Sequence, residues 1–124
     1  MANGHIAGTQ AHSISADESM QVNVSVQQRA LRERFLSRLP QRLDSIRAHA
    51  ARIETGDTAA AVELKRAAHS LVGAAGMYNL ADMAECAARI EAWDDSPNDV
   101  QALLAAIDHL AVLIEQQRQS HAHQ

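Results

Sequence analysis

His69 is the side chain in this sequence best placed to act as a nucleophile. Four small or apolar residues recur around it at the spacing of one helical face, namely Leu64, Ala68, Leu71 and Ala75. At about 100° per residue, His69 lies roughly 140° from Leu64 and 160° from Leu71 around that helix. A neutral imidazole is nucleophilic near pH 7, so the spacing predicts an exposed group acceptor. The same spacing also fits an ordinary solvated histidine.

The residues one turn away from His69 are compatible with the binding of an anion beside it. Lys65 and Arg66 precede it by one turn, and their charges could steady phosphoryl oxygens or contact an acidic partner. They are equally the normal polar face of an amphipathic helix. Gly73 follows by one turn, where glycine costs roughly 1 kcal/mol relative to alanine but leaves the imidazole uncovered. Glycine at such a position also serves helix packing.

Glu91 is a candidate partner for the imidazole. It continues the inward line of Leu80, Ala84 and Ala87 on the next predicted helix. A carboxylate on that line needs a partner because burying an unpaired charge is expensive. One ring nitrogen of His69 is such a partner, and the contact would fix the tautomer. The alternative is a glutamate at the rim of the core, paired with Arg89 or with a solvent cation.

The composition predicts a single all-α domain. Hydrophobic residues make up 47% of the 124 residues, yet the chain has one Phe, one Tyr and one Trp, which favours packed helices over a sheet. The net charge is −4 and no basic block occurs, so nucleic-acid binding has no electrostatic support. Cys86, the single cysteine, is expected in the core. We find no signal peptide or membrane-spanning run and expect a soluble, cytoplasmic protein that does not engage a membrane.

Turn and capping residues divide the chain into helices. Residues 1–24 lack a sustained period and are predicted to be a disordered tail, with a helix starting at the capping box that begins at Ser25. The apolar face made by Leu31, Phe35 and Leu39 is interrupted by Pro40 and then resumes in phase. Either a kinked helix or two abutting helices, the first a short extra N-terminal one, fits this pattern. The pair Gly56-Asp57 predicts a helix end followed by a new start.

Two further helices complete the predicted architecture. Asn79 is expected to cap the helix that carries Glu91, and Ser96-Pro97 gives the clearest helix start in the chain. Four amphipathic helices with short turns predict an antiparallel four-helix bundle over residues 25–118, followed by a frayed tail at 119–124.

The segment from Ala68 to Gly76 resembles the histidine-containing phosphotransfer (HPt) domain, a family that includes the phosphoacceptor domains of chemotaxis histidine kinases. The resemblance rests on the His-x-Leu-x-Gly pattern of His69, Leu71 and Gly73. It spans about residues 28–117, and further matching residues are Phe35, Leu36, Leu39, Pro40, Gly56, Asp57, Tyr78, Leu80, Ile90 and Glu91.

The resemblance implies that His69 accepts a phosphoryl group from a receiver-domain aspartate or a kinase and passes it to a receiver aspartate in a bacterial two-component phosphorelay. It implies that Glu91 hydrogen-bonds the imidazole and that Gly73 leaves room for the partner. The expected partners are a response-regulator receiver domain, a histidine kinase, or both. Mg²⁺ would belong to the receiver, so no cofactor or metal is expected on this chain. Such a protein is a phosphocarrier rather than a stand-alone turnover enzyme, and the family tends to be monomeric.

One position departs from the family's pattern. That pattern is His-x-Leu-Lys-Gly, and Val72 stands where the lysine is expected. Lys65 or Arg66 would then have to replace it. Val72, together with Val62 and Ala74, would offer an apolar docking strip beside His69. The departure also motivates a second hypothesis, a helical adaptor that binds a receiver domain or kinase and sequesters it without efficient transfer.

Overall fold

The structure, a computed structural model, describes the backbone of residues 3–122 and the side chains of residues 23–120. Within that range the regular secondary structure is entirely helical, as predicted. The helices are α1 (Asn3–Glu54), α2 (Ala59–Met77), α3 (Ala81–Glu91) and α4 (Val100–Ala122), with a short 3₁₀ helix at Pro97–Asp99 before α4. None of these helices is both long enough and apolar enough to cross a membrane.

The chain forms two compact units, which divide within α1 after Arg34. In the first unit α1 begins at Asn3, so the predicted helix start at Ser25 is wrong. No proline interrupts residues 3–24, and nothing in the backbone chemistry obliges the helix to begin later. Leu31, expected on the buried face, is 48% exposed. Residues 1 and 2 of the predicted tail lie outside the described residues, and the predicted domain limits at 24 and 118 stay predictions.

In the second unit α1 passes through Pro40 without ending, so the alternative of two abutting helices is wrong. A proline inside a helix costs roughly 3 kcal/mol because it removes a hydrogen bond and crowds the preceding turn. Leu36 and Leu39 on one side of it and Leu43 on the other are all buried in the same core. Their packing holds the helix together across the proline.

The core of the second unit draws side chains from all four helices. α2 packs against α3, and α3 packs against α4. The buried cluster contains Phe35, Leu36, Leu39, Leu43, Ile46, Ala50, Ala61, Leu64, Ala68, Leu71, Ala75, Leu80, Met83, Cys86, Ala87, Ile90, Trp93, Leu103, Ile107, Leu110 and Ile114. Leucine, isoleucine and alanine make up 17 of these 21 side chains, so the core is filled mainly by aliphatic groups and contains only two aromatic residues, Phe35 and Trp93.

The turns follow from local chemistry, with one correction. Gly56 has a φ of +96°, the left-handed conformation typical of a residue just after a helix. Ser96 accepts a hydrogen bond from Asn98 N at 3.3 Å and starts the segment that leads into α4, as predicted. Asn79, however, has a φ of +60° and ends α2 instead of capping α3. The backbone N–H of Leu80 bonds to Ala75 O at 2.9 Å, so the left-handed residue is part of the α2 terminus.

α4 reaches Ala122, beyond the predicted end at about Gln117. Among the side chains of α4 that the structure describes, Ile114 is the last buried one, so the helix extends past the core after it. The predicted fraying of residues 119–124 is a separate matter and stays a prediction.

Candidate functional site

The rotation of α2 about its axis determines where His69 points. Leu64, Ala68, Leu71 and Ala75 are each 0% exposed, which confirms the predicted inward face. His69 lies on the other side of the helix, and its side chain is 76% exposed. A histidine held this way presents its ring to solvent without contributing to the core. It can therefore react with an external group while the fold stays intact.

The imidazole of His69 is held from one side by a carboxylate. Its Nδ1 lies 2.7 Å from Oε2 of Glu91, a short contact between two side chains that are 22 residues apart in the chain. A carboxylate oxygen only accepts hydrogen bonds, so Nδ1 must carry the hydrogen. In a neutral ring Nε2 then bears the free lone pair. The pair thus fixes the tautomer in which the nitrogen remote from Glu91 is the nucleophile.

α3 positions Glu91 through its buried neighbours. Ile90 and Ala87 are both 0% exposed, and Glu91, the last residue of α3, is half-buried beside them. The side chain of Glu91 is 37% exposed. Glu91 therefore lies at the rim, the location given by the alternative hypothesis, but its partner is His69 and not Arg89. Arg89 points elsewhere, donating to Nδ1 of His109 at 3.0 Å.

The two cations predicted near His69 have different environments. Lys65 Nζ lies 2.8 Å from Oδ1 of Asp95, so its charge is already engaged. Asp95 has a φ of +65°, a left-handed backbone conformation that Asp adopts more readily than most residues. Arg66 is exposed and has no carboxylate within ion-pair distance among the described side chains. Of the two, Arg66 is the one whose guanidinium is open to an incoming anion.

The apolar residues predicted around His69 are not equally accessible. Val62 is 59% exposed, while Val72 and Ala74 are half-buried and pack against the core. A Cβ added to Gly73 would meet nothing within 4 Å. Packing among the described residues therefore does not demand glycine there, and its absent side chain matters to a partner that approaches from outside.

Sequence reasoning missed an arginine on α1. Arg42 Nη1 donates to Oγ of Ser70 at 3.4 Å, next in the chain to His69. The Arg42 guanidinium also lies 5.5 Å from the centre of the Phe35 ring, which stacks on Tyr78 with ring centres 5.2 Å apart. Phe35 and Arg42 are seven residues apart on one face of α1, but Arg42–Ser70 and Phe35–Tyr78 join different helices, and no spacing rule connects those two pairs. Phe35 and Tyr78 do belong to the resemblance described above, which is the one available signal.

Ion pairs elsewhere join α1 to the start of α2. Arg52 contacts Asp57 at 2.7 Å and Glu63 at 3.0 Å. These hydrogen bonds raise the pKa of Arg52, and the guanidinium in turn lowers the pKa of Asp57. Asp57 also accepts a hydrogen bond from Ala59 N at 3.1 Å, which satisfies a donor in the first turn of α2. This cluster fixes the α1–α2 turn, and His49 Nδ1 also lies 3.4 Å from Oε2 of Glu63, with a side chain that is only 22% exposed.

The remaining thiol and acid groups form no second site. Cys86 is fully buried, its thiol donates to Ala106 O at 3.2 Å, and burial raises its pKa, all of which suit a core residue. Among the described side chains, no three His, Cys, Asp or Glu residues come together in a way that could hold a metal ion.

A family model described as the Hpt domain matches residues 30–121 of the chain. That range contains the whole core of the second unit and both members of the His69–Glu91 pair. No curated protein and no solved structure matches the chain.

Proposed function

The chain belongs to the Hpt domain family, and from that premise we propose that it is the histidine phosphotransfer protein of a bacterial two-component phosphorelay. Hpt domains take part in histidine phosphotransfer and interact with receiver domains and kinases. In the proposed role His69 accepts a phosphoryl group and passes it to or from a receiver-domain aspartate. The observation that carries the proposal is an imidazole whose side chain is 76% exposed and whose Nδ1 is held 2.7 Å from Glu91, which leaves Nε2 as the free ring nitrogen.

The proposed transfer needs no base to remove a proton. The Nε2 lone pair attacks the phosphorus of an aspartyl phosphate, a P–N bond forms, and the P–O bond breaks with its electrons leaving on the aspartate carboxylate. The hydrogen on Nδ1 stays in place, so the ring gains a positive charge. Glu91 stabilises that charge through its short hydrogen bond. Return of the phosphoryl group to an aspartate reverses each step.

Several properties of the protein are part of the same proposal. We expect the four helices to form an antiparallel four-helix bundle, because short turns join successive helices. We expect the protein to be monomeric and cytoplasmic. Mg²⁺ is expected on the receiver domain, where it would neutralise phosphoryl charge, and this chain would need no cofactor of its own.

The proposed docking surface surrounds His69 on α2. Val62 supports it best, because it is exposed and lies two turns before His69 on the same strip. Gly73 leaves an opening one turn after the imidazole. Val72 and Ala74 contribute only their outer edges, since both are half-buried.

The experiment that tests this function is phosphoryl transfer from a phosphorylated receiver domain of the same genome. The parent chain should acquire an acid-labile, base-stable label, and His69→Gln should acquire none while keeping the helical circular dichroism of the parent. Survival of the fold is expected because the His69 side chain is largely exposed. A label that persists in His69→Gln would refute the assignment of the phosphoacceptor.

The second candidate is an adaptor that binds a receiver domain or kinase and sequesters it without efficient transfer. Two observations favour it: Val72 packs against the core where the family has a lysine, and Lys65 is occupied by Asp95. Val72→Lys separates the candidates. If the parent is a phosphotransfer protein, Val72→Lys should transfer phosphoryl groups at least as well as the parent. If the parent is an adaptor, Val72→Lys should gain a transfer activity that the parent lacks.

A further inference from the structure

We propose that Arg42 of α1 is the cation that contacts the phosphoryl group during transfer at His69, in the role that Val72 cannot fill. This inference rests on the proposed function and adds to it a catalytic residue from a different helix. It is carried by the contacts of Arg42 with Ser70 and Phe35 and by the open surface at Gly73.

Arg42 is held in place by neutral groups alone. Its contacts are the Ser70 hydroxyl at 3.4 Å and the face of the Phe35 ring at 5.5 Å. Among the described side chains no carboxylate lies within 4 Å of its guanidinium, whereas Arg47 and Arg52 on the same helix each have one. A guanidinium kept beside the site by neutral contacts, without a counter-charge, can bind an anion, and its planar set of donors matches a phosphoryl group.

On the Gly73 side, no side chain separates the directions of His69 and Ser70 around α2. Ser70 follows His69 directly, so its side chain is rotated about 100° towards α1. Gly73 lies between these two directions, one turn further along α2, and offers no side chain to separate them. The Arg42–Ser70 distance of 3.4 Å is at the long limit for a hydrogen bond. Moving the guanidinium to a phosphoryl oxygen on Nε2 therefore gives up only a weak neutral contact.

The alternatives on α2 itself are less suitable. Lys65 would first have to leave Asp95, at 2.8 Å, before it could reach an incoming anion. Arg66 is exposed and can assist, but no hydrogen bond or ring contact fixes its guanidinium among the described residues. A preorganised cation loses less conformational freedom on binding than a mobile one, which favours Arg42.

The test uses potassium phosphoramidate, a small donor that phosphorylates histidine without a protein partner. The chain has seven histidines, so labelling at His69 is taken as the difference between each protein and its His69→Gln counterpart. Arg42→Gln should label at His69 about tenfold more slowly than the parent, the effect expected for loss of one charged hydrogen bond in the transition state. Arg42→Lys, which keeps the charge, should recover most of the rate.

Arg47→Gln is the matched control. It removes the same charge from the same helix, but Arg47 faces Asp108 at 3.6 Å and both side chains are at least half exposed. Its labelling rate should equal that of the parent. Thermal unfolding followed by circular dichroism verifies that all three variants are folded.

A spectroscopic measurement separates direct contact from a structural effect. The phosphorus resonance of phospho-His69 is followed against pH, since a nearby guanidinium favours the more charged form of the phosphoryl group. The protonation midpoint of the phosphoryl group should rise in Arg42→Gln and stay unchanged in Arg47→Gln. A rise of about one pH unit corresponds to a tenfold preference of the guanidinium for the more charged form of that group. Equal rates and equal midpoints in the two variants would overturn the role of Arg42. Absence of any label at His69 in the parent would instead overturn the proposed function and this inference with it.

Discussion

Removing the carboxylate of Glu91 should slow phosphorylation of His69 by a modest, calculable factor. The Nδ1–Oε2 contact of 2.7 Å has the length of a charge-assisted hydrogen bond. Buried contacts of that kind contribute about 1.5–3 kcal/mol, and exposed ion pairs about 0.2–1 kcal/mol. Because the side chains of His69 and Glu91 are 76% and 37% exposed, the free energy of their contact should lie between these two ranges. We expect Glu91→Ala to cost about 1 kcal/mol in the transition state, or about fivefold in rate.

The assay combines a rate with a tautomer measurement. Labelling by phosphoramidate gives the rate, and nitrogen NMR of the His69 ring reports which nitrogen carries the hydrogen. Glu91→Ala should increase the population with hydrogen on Nε2, because no acceptor then holds the Nδ1 hydrogen. Glu91→Gln should fall between the parent and Glu91→Ala, since its amide oxygen still accepts a hydrogen bond but carries no charge.

Glu85→Ala supplies the control for the change in charge. Glu85 is an exposed glutamate on the same helix, six residues before Glu91 and so about 120° away around α3. Glu85→Ala should leave both the labelling rate and the tautomer of His69 unchanged. If Glu91→Ala matched the parent in both measurements, the carboxylate would have no part in presenting Nε2, and the reasoning from the Nδ1 contact would fail.

Three further predictions concern stability and the buried thiol. Leu71→Ala should lower the free energy of unfolding in urea by about 2–5 kcal/mol, because Leu71 is fully buried in the core. Arg52 lowers the pKa of Asp57, so the parent should be more stable than Asp57→Asn near neutral pH. Since the folded-state pKa is the lower one, that advantage should be lost as the pH falls below about 4, which denaturation at several pH values would reveal. Cys86, whose pKa is raised by burial, should react with a thiol reagent far more slowly in the folded protein than in denaturant.

Several features of the helical core could be predicted from local sequence patterns. The face of α2 could be predicted because four small or apolar residues recur at one angle, and that face alone fixes His69 outward. Gly56 and Ser96 were predictable because left-handed backbone and a side-chain cap have specific residue requirements. The position of Glu91 followed from the same periodicity on α3. Its pairing with His69 needed the packing of α2 on α3, which periodicity cannot supply.

The errors arise where non-local packing or backbone geometry decides the outcome. Asn79 is a good capping residue, but it also tolerates positive φ, and the terminus of α2 uses that property. At Pro40 the sequence leaves a kinked helix and two abutting helices open, because the cost of proline is local while the packing of the residues on both sides of it is not. The ion pair between Lys65 and Asp95 involves a residue with a left-handed backbone, and no pattern in the sequence predicts that conformation at Asp95.

The charges around His69 are divided between the two sides of α2. Lys65 and Val72 lie on the side of the imidazole that faces Glu91 and Asp95, as their angles on the helix require. Arg66 and Gly73 lie on the other side, towards Ser70 and Arg42. Position 72 lies one turn beyond His69 on the side of the Glu91 carboxylate, whereas Arg42 and Arg66 have no carboxylate within ion-pair distance among the described side chains. Under the proposed function, an apolar residue at position 72 therefore leaves the Glu91 carboxylate to His69, and the phosphoryl group is stabilised from α1.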